Sequence, residues 1–179
     1  MDLADKKVAI LVHNYFEQAE FTQPLQALKD AGAAVHVVSG SGERELQGLN
    51  HVDKADTFQA DVLLEAVNLA DYDALVLPGG ATNADNLRMV EEARTWVRHC
   101  MSEKKPLAVI CHAPWVLASA GVANGRTLTS YFTIQDDMRN AGADWVDQEV
   151  VVDDNLITSR NPDDLPAFCS ALVGALQTS

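Results

Sequence analysis

The feature that most constrains the fold is the alternation of short, unbroken apolar segments with longer segments of helical periodicity. The apolar segments are residues 7–12, 34–39, 74–77 and 106–110. Segments of this length without alternation are typical of strands buried on both faces. Such strands, separated by helices, predict a mostly parallel sheet covered by helices on both faces. With 179 residues, we interpret residues 1–179 as a single domain.

The segments between these strands are predicted as follows. Phe21, Leu25 and Leu28 have helical spacing, and Pro24 is expected to start or kink their helix. A hairpin or short strands are expected near residues 51–52 and 58, followed by a helical turn. Further helices are predicted over 85–104, 114–120, 133–141 and 163–177, and further strands over 149–152 and 156–158.

Charge and composition exclude several classes of protein. The chain has 13 Lys and Arg against 26 Asp and Glu, a net charge of −13, and it has no basic cluster. It is therefore poorly suited to bind nucleic acid or an anionic membrane surface. No apolar segment approaches the roughly 18 residues of a membrane span, and no signal-peptide pattern is present, so we expect a cytoplasmic protein.

Metal and nucleotide cofactors lack a sequence signal. No set of His, Cys and Asp has the spacing of metal ligands, and no CxxC pair accompanies the three cysteines. Residues 40–42 read Gly-Ser-Gly after a strand but lack the third glycine and the following helix of a dinucleotide-binding loop. We therefore expect neither a metal nor an organic cofactor.

Cys111 is the strongest candidate for a functional residue. It follows a buried strand and precedes a helix, and ligand sites of parallel sheets lie beyond the carboxyl ends of the strands. A tight turn there would expose the thiol, and the helix start would lower the thiol pKa. Alternatively, Cys111 simply ends a buried strand. Cys100 and Cys169 continue apolar helix stripes, and we interpret both as core residues.

Other candidates lie near the ends of neighbouring strands. One interpretation is an oxyanion hole formed by the backbone amides of Gly79, Gly80 and His112. The alternative is that the two glycines only form a turn. Glu17 and Glu20 can both be first-turn acids that complement a helix dipole. Alternatively, the carboxyl group of Glu17 lies in the cleft and has a raised pKa. His112 is a possible base, although adjacent residues on a turn seldom aim at one atom.

Five ordered segments resemble a known family. They are NYFEQAE (14–20), ALVLPGG (74–80), AVICHAP (108–114), DDMRNAGA (136–143) and TSRNPDDLPAF (158–168). Together they resemble the ThiJ/PfpI superfamily, which includes the parkinsonism-associated deglycases, in its PfpI-type branch of intracellular peptidases and general stress proteins. The resemblance covers nearly the whole chain and implies a flavodoxin-like three-layer sandwich and a homodimer or higher homo-oligomer.

The resemblance also implies roles for individual residues. Cys111 would be the nucleophile on a strained elbow, Glu17 the protonated partner of its sulfur, and His112 the residue beside it. Asp85 would reach His112 from a neighbouring subunit, although it matches the family pattern only after one extra residue is allowed in the segment 81–84. Tyr131 matches a tyrosine near the site. Ala113 replaces a glycine common in relatives.

The predicted function is a glutathione-independent glyoxalase or protein deglycase in a stress response. The Cys111 thiolate would add to the aldehyde of a small substrate or of a glycated protein, giving a hemithioacetal. One alternative is an intracellular cysteine peptidase, which needs His112 and Asp85 as proton donors. A non-enzymatic alternative is a peroxide sensor that oxidises Cys111, or a chaperone-like stress protein. A glutamine amidotransferase is disfavoured because no histidine has Glu two residues on.

Overall fold

The computed structural model describes residues 3–179. Among them the strands are β1 (Lys7–Val12), β2 (Phe16–Glu17), β3 (Ala34–Ser39), β4 (Glu45–Asn50), β5 (Asp53–Gln59), β6 (Val62–Leu63), β7 (Ala74–Leu77), β8 (Leu107–Ile110), β9 (Thr127–Leu128), β10 (Asp144–Trp145), β11 (Val150–Asp153) and β12 (Leu156–Ser159). The helices are α1 (Gln18–Asp30), α2 (Ala81–Leu87), α3 (Glu91–Ser102), α4 (Pro114–Ala120), α5 (Gln135–Asn140) and α6 (Leu165–Thr178).

The main sheet has the strand order β11-β12-β8-β7-β1-β3-β6. Every neighbouring pair in it is parallel except β11–β12, which form an antiparallel hairpin. The interior strand β1 pairs with β3 on one side and β7 on the other, with Ile10 opposite Val37 and Val76. β1 and β7 are buried on both faces, as their unbroken apolar sequences predicted.

Helices cover both faces of the main sheet. α1 and α6 pack against each other on one face, where Phe21, Leu28 and Phe168 are buried. α2, α3 and α4 cover the other face, where Trp96 and Leu117 are buried. The predicted α/β sandwich with a mostly parallel sheet is therefore confirmed.

The predicted helix over 85–104 is wrong as a single element. The structure has α2 and α3, separated by an extended residue at Val90. The break lets α2 and α3 bury Leu87 and Trp96 in the same cluster. Glu91 and Glu92, in the first turn of α3, are the sequence signal that marks a new helix start. Pro24 lies inside α1, which begins six residues earlier, so Pro24 does not start the helix.

The segment predicted as a hairpin forms β4 and β5, and these strands are longer than expected. Residues 51 and 52 are the turn rather than strand, and His51 has a positive φ of 58°. β2 pairs in parallel with β4, with Glu17 opposite Leu49. This pairing brings the hairpin turn beside the start of α1 and so beside the site described next.

Candidate functional site

Cys111 lies at a strained turn between β8 and α4. Its φ is 65°, in the left-handed region that disfavours side chains larger than glycine. Its N–H donates to Ser159 O (3.1 Å), and its carbonyl accepts from Tyr131 N–H (2.7 Å). These bonds to two other segments hold the strained backbone in place, which is typical of functional sites. The predicted elbow geometry is confirmed.

The carboxyl group beside the sulfur is that of Glu20. Glu20 is 0% exposed, and its side chain interacts with the Cys111 thiol. Glu20 Oε2 accepts the N–H of Gly79 (2.8 Å). Desolvation raises the Glu20 pKa to about 8, with a smaller contribution from the charge of Glu17, so this group is largely protonated at neutral pH.

Glu17, which we predicted as the partner of the sulfur, has other contacts. Its Oε2 accepts the N–H of His51 (3.0 Å), and its side chain lines the cleft. Glu17 precedes α1 in an extended conformation, whereas Glu20 is within the first turn and shares the buried face with Phe21 and Pro24. A carboxyl group on the apolar face of a helix was the sequence signal for Glu20, and our prediction missed it.

The thiol pKa of Cys111 is raised, contrary to the expectation of a lowered value. Burial is the largest cause, and the negative charge of Glu20 is the second. The N–H groups of Gly80 and His112 act in the opposite direction because they hydrogen-bond to the sulfur. An ionised Glu20 would raise the thiol pKa further, so the thiolate can form only while Glu20 holds its proton.

His112 is closer to the sulfur than the sequence suggested. Its Nδ1 is 3.1 Å from Cys111 Sγ, because the positive φ at Cys111 turns the two side chains toward one another. Nε2 is 3.5 Å from Thr133 Oγ1, and the ring stacks on Tyr131 with centroids 4.6 Å apart. Desolvation lowers the His112 pKa, which favours the neutral imidazole.

The two glycines after β7 have different roles. The Gly79 amide is bound to Glu20, so the predicted contribution of Gly79 to an oxyanion hole is wrong. A Cβ at Gly79 would lie 2.6 Å from Cys111 Cβ, so the absent side chain permits the close approach of two chain segments. Gly80 has φ 88°, and its amide points to the sulfur. Its amide and that of His112 remain available to a negative charge developing there.

Tyr131 and Asp85 differ in their relation to the site. Tyr131 lines the cleft beside His112, as the prediction placed it. Asp85 is exposed on α2 and does not line the cleft of this chain. Its approach to His112 from a neighbouring subunit stays a prediction.

The cleft over Cys111 has a volume of ≈ 670 Å³. Cys111 is 6% exposed within it, and Val52 and Phe132, exposed by 88% and 60%, stand at its margin. The residues that line it come from the hairpin turn, the start of α1, the loops after β7, β8 and β9, and the loop before α6: Glu17, Ala19, Glu20, Asn50, His51, Val52, Gly80, Ala81, Cys111, His112, Tyr131, Phe132, Asn161, Pro162 and Asp163.

Of the other two cysteines, Cys100 lies in the core, as predicted, whereas Cys169 is only partly buried and packs against the edge of the core. Cys100 is 1% exposed in the cluster under α3, and burial raises its thiol pKa to about 12. Cys169 is half-buried on α6, and burial raises its pKa to about 11. Both lie outside the cleft.

Residues 3–179 contain neither a cluster of metal-binding side chains nor a helix that could span a membrane. In that part of the chain, no group of three or more His, Cys, Asp or Glu side chains converges to hold a metal ion. In the same part, none of the helices has the length and apolar character required to span a bilayer.

The fold and the site define a class: α/β sandwiches with a cysteine at a strained strand-to-helix turn and a buried carboxyl group beside it. The DJ-1/PfpI family model matches residues 6–175, and the chain belongs to this family. The chain is 41% identical over 164 residues to General stress protein 18 of Bacillus subtilis, covering 91% of this chain and 93% of that one. It is 40% identical over 171 residues to Deglycase PfpI of Pyrococcus furiosus, covering 96% and 99%.

A solved structure supports the same assignment. It is a two-domain protein of Anabaena variabilis with DJ-1/ThiJ/PfpI-like and ferritin-like domains. It is 37% identical to this chain, with a TM-score of 0.90, and the match covers 96% of this chain and 48% of that one. This chain therefore spans about half of that protein.

Proposed function

We propose that this chain is a cysteine-dependent glyoxalase or deglycase of a cytoplasmic stress response, acting without glutathione and without a cofactor. The observation that carries the proposal is the pair formed by Cys111 and the protonated carboxyl group of Glu20 at the base of an open cleft. Substrates are small α-oxoaldehydes such as methylglyoxal, or their adducts on proteins. The names of the relatives as a stress protein and a deglycase agree with this function.

In the first step of the proposed reaction, His112 Nδ1, which lies 3.1 Å from the sulfur, takes the thiol proton, and the resulting thiolate adds to the aldehyde carbon. A carbon–sulfur bond forms, and the carbonyl oxygen takes a proton from Glu20, giving a hemithioacetal and a Glu20 carboxylate. A raised pKa suits Glu20 to this exchange, since it holds a proton at neutral pH yet releases it readily. The Gly80 and His112 amides stabilise the thiolate before the attack.

The second step moves a proton between carbons. The Glu20 carboxylate removes the proton from the carbon bonded to sulfur and returns it to the neighbouring carbon. The hydroxyl proton passes between the two oxygens, with His112 positioned to carry it. The product is a lactoyl thioester on Cys111. Water then attacks the thioester and the carbon–sulfur bond breaks. One proton of the water restores the Glu20 carboxyl group, the other passes to solvent with lactate, and the thiolate regains its proton from His112.

The test is lactate formation from methylglyoxal without glutathione. We expect multiple turnovers by the wild type and no turnover by Cys111→Ser, with Cys169→Ser as the matched control that keeps the wild-type rate. Glu20→Gln should lose at least about 10²-fold in kcat, the usual size of a proton-transfer contribution, and more than Glu17→Gln loses. Absence of wild-type turnover with the thiol reduced would overturn the proposal, and a larger loss in Glu17→Gln would overturn the role of Glu20.

A cysteine peptidase is the second candidate, favoured by the 3.1 Å distance from His112 Nδ1 to Cys111 Sγ. Amide hydrolysis requires a proton for the amine that leaves. Within residues 3–179, no carboxylate hydrogen-bonds to His112, and burial favours the neutral imidazole. Asp85 of a neighbouring subunit would supply the missing carboxylate in a homo-oligomer. Hydrolysis of a fluorogenic peptide amide that is lost in Asp85→Asn would support this function.

A further inference from the structure

The cleft over Cys111 has acidic side chains and, among the described residues that line it, no lysine or arginine. Glu17 and Asp163 are two of the lining residues. Arg160 lies next to this lining in sequence, but its guanidinium donates hydrogen bonds to Asp164 and Asp147. An anionic substrate would therefore find no free cation here, and it would meet carboxylates instead.

Glu17 is a buried carboxyl group whose charge lacks a lysine or arginine partner in residues 3–179. It is 8% exposed, and Oε2 accepts one hydrogen bond, from the N–H of His51. The His51 ring is 4.0 Å from the same oxygen and is charged only when protonated. Oε1 makes no hydrogen bond to the described residues. Oε1 is not a buried oxygen but is open to the cleft, so Glu17 can accept hydrogen bonds there from a cationic group.

We propose that the cleft selects substrates by charge, favouring carbonyl compounds that carry a cationic group over anionic ones, and that Glu17 is the residue that contacts this group. The inference rests on the proposed function in taking carbonyl compounds as the substrates. An ammonium or guanidinium group near Cys111 would donate charge-assisted hydrogen bonds to Glu17 Oε1. A guanidinium fits best, because its planar fork matches a carboxylate.

The test measures how charge affects access to the Cys111 sulfur, with no need for catalysis. Three methanethiosulfonates that carry a primary ammonium, a methyl or a sulfonate group react with the thiolate to form a disulfide and release methanesulfinate. Their rates at Cys111 are followed by mass spectrometry at low salt, because salt screens charges. Each rate is divided by the rate at which the same reagent reacts with free 2-mercaptoethanol. This division corrects for differences in the intrinsic reactivity of the reagents.

We expect the normalised ratio of cationic to anionic rates to exceed about tenfold in the wild type, given a carboxylate a few ångströms from the bound charge. Glu17→Gln should lower this ratio at least fivefold, and Glu17→Asp should keep most of it. Glu92→Gln is the matched control, since it removes the same charge from an exposed position on α3. Its ratio should stay within twofold of the wild type.

A wild-type ratio near one would overturn the proposal, even if every Glu17 variant failed to fold. If Glu92→Gln lowers the ratio as much as Glu17→Gln does, the selectivity comes from the net charge of the protein. That result would overturn the role of Glu17. Turnover of phenylglyoxals with para trimethylammonium, hydrogen or carboxylate groups separates this inference from the proposed function. Turnover of all three compounds at equal kcat/KM would contradict charge selection but not the glyoxalase proposal. Turnover of none of them would contradict the glyoxalase proposal but not charge selection.

Discussion

The surroundings of Cys111 and of Cys100 differ sharply, although both cysteines are buried. Both side chains are buried, and burial raises the thiol pKa of both. Cys100 lies on a regular helix within an apolar cluster. Cys111 lies on a strained turn with a protonated carboxyl group, an imidazole and two amides around its sulfur. Burial is therefore common to both, and the polar neighbours and the open cleft distinguish Cys111 as the candidate for the functional residue.

The largest expected difference between these two regions is in chemical reactivity. Iodoacetamide should modify Cys111 in the native protein at least about 10³-fold faster than Cys100, because Cys100 reacts only after the core opens locally. Quantitative mass spectrometry of the two peptides over time measures the ratio. Similar rates would mean that reagents in the cleft cannot reach the Cys111 sulfur.

Replacement of Gly79 should strongly destabilise the packing around Cys111. The Cβ of Gly79→Ala would lie 2.5 Å from Glu20 Oε2 and 2.8 Å from Ile110 O, and backbone atoms move only at a high cost. We expect a loss of about 3 kcal/mol in the free energy of unfolding, measured by urea denaturation. Gly174→Ala is the control, because nothing lies near its Cβ and α6 is helical there. It should be neutral or stabilising by up to about 1 kcal/mol.

The pH dependence of stability should reveal the buried carboxyl group beside Cys111. The pKa of Glu20 rises from 4.5 to about 8 on folding, so the folded protein binds more protons than the unfolded chain between these values. The free energy of unfolding should therefore fall as the pH rises through this window, by up to about 1.4 kcal/mol per pH unit. Glu20→Gln should remove this slope, so urea denaturation at pH 5.5, 7 and 8 compares the two. A slope that persists in the variant would assign it to other groups.

The smallest expected effect is the difference in backbone strain between the two cysteine positions. At φ 65°, glycine is easier to accommodate than alanine, so Cys111→Gly should be more stable than Cys111→Ala by about 1 kcal/mol. In α3 the order should reverse, with Cys100→Gly less stable than Cys100→Ala by about 1 kcal/mol. Thermal denaturation of the four variants checks both signs. The same sign at both positions would contradict the interpretation of Cys111 as strained.

Local patterns were sufficient to predict much of this protein. Unbroken apolar segments predicted the strands of the parallel sheet, since only strands buried on both faces need such sequences. The position of Cys111 after one of these strands predicted its place at the functional edge of the sheet. The core position of Cys100 followed from helical spacing, whereas Cys169 is only partly buried. Each of these inferences uses periodicity within one segment, which tertiary contacts did not override.

Contacts between segments decided the rest. The choice between Glu17 and Glu20 depended on where α1 begins and which face it buries, and β2 sets this by pairing with β4. The Gly79 amide became unavailable because Glu20 reached it from another segment. The approach of His112 to the sulfur followed from a positive φ that two other segments hold in place. Spacing along one segment carries no information on the direction of side chains across the cleft, so only the packed structure determined these groups.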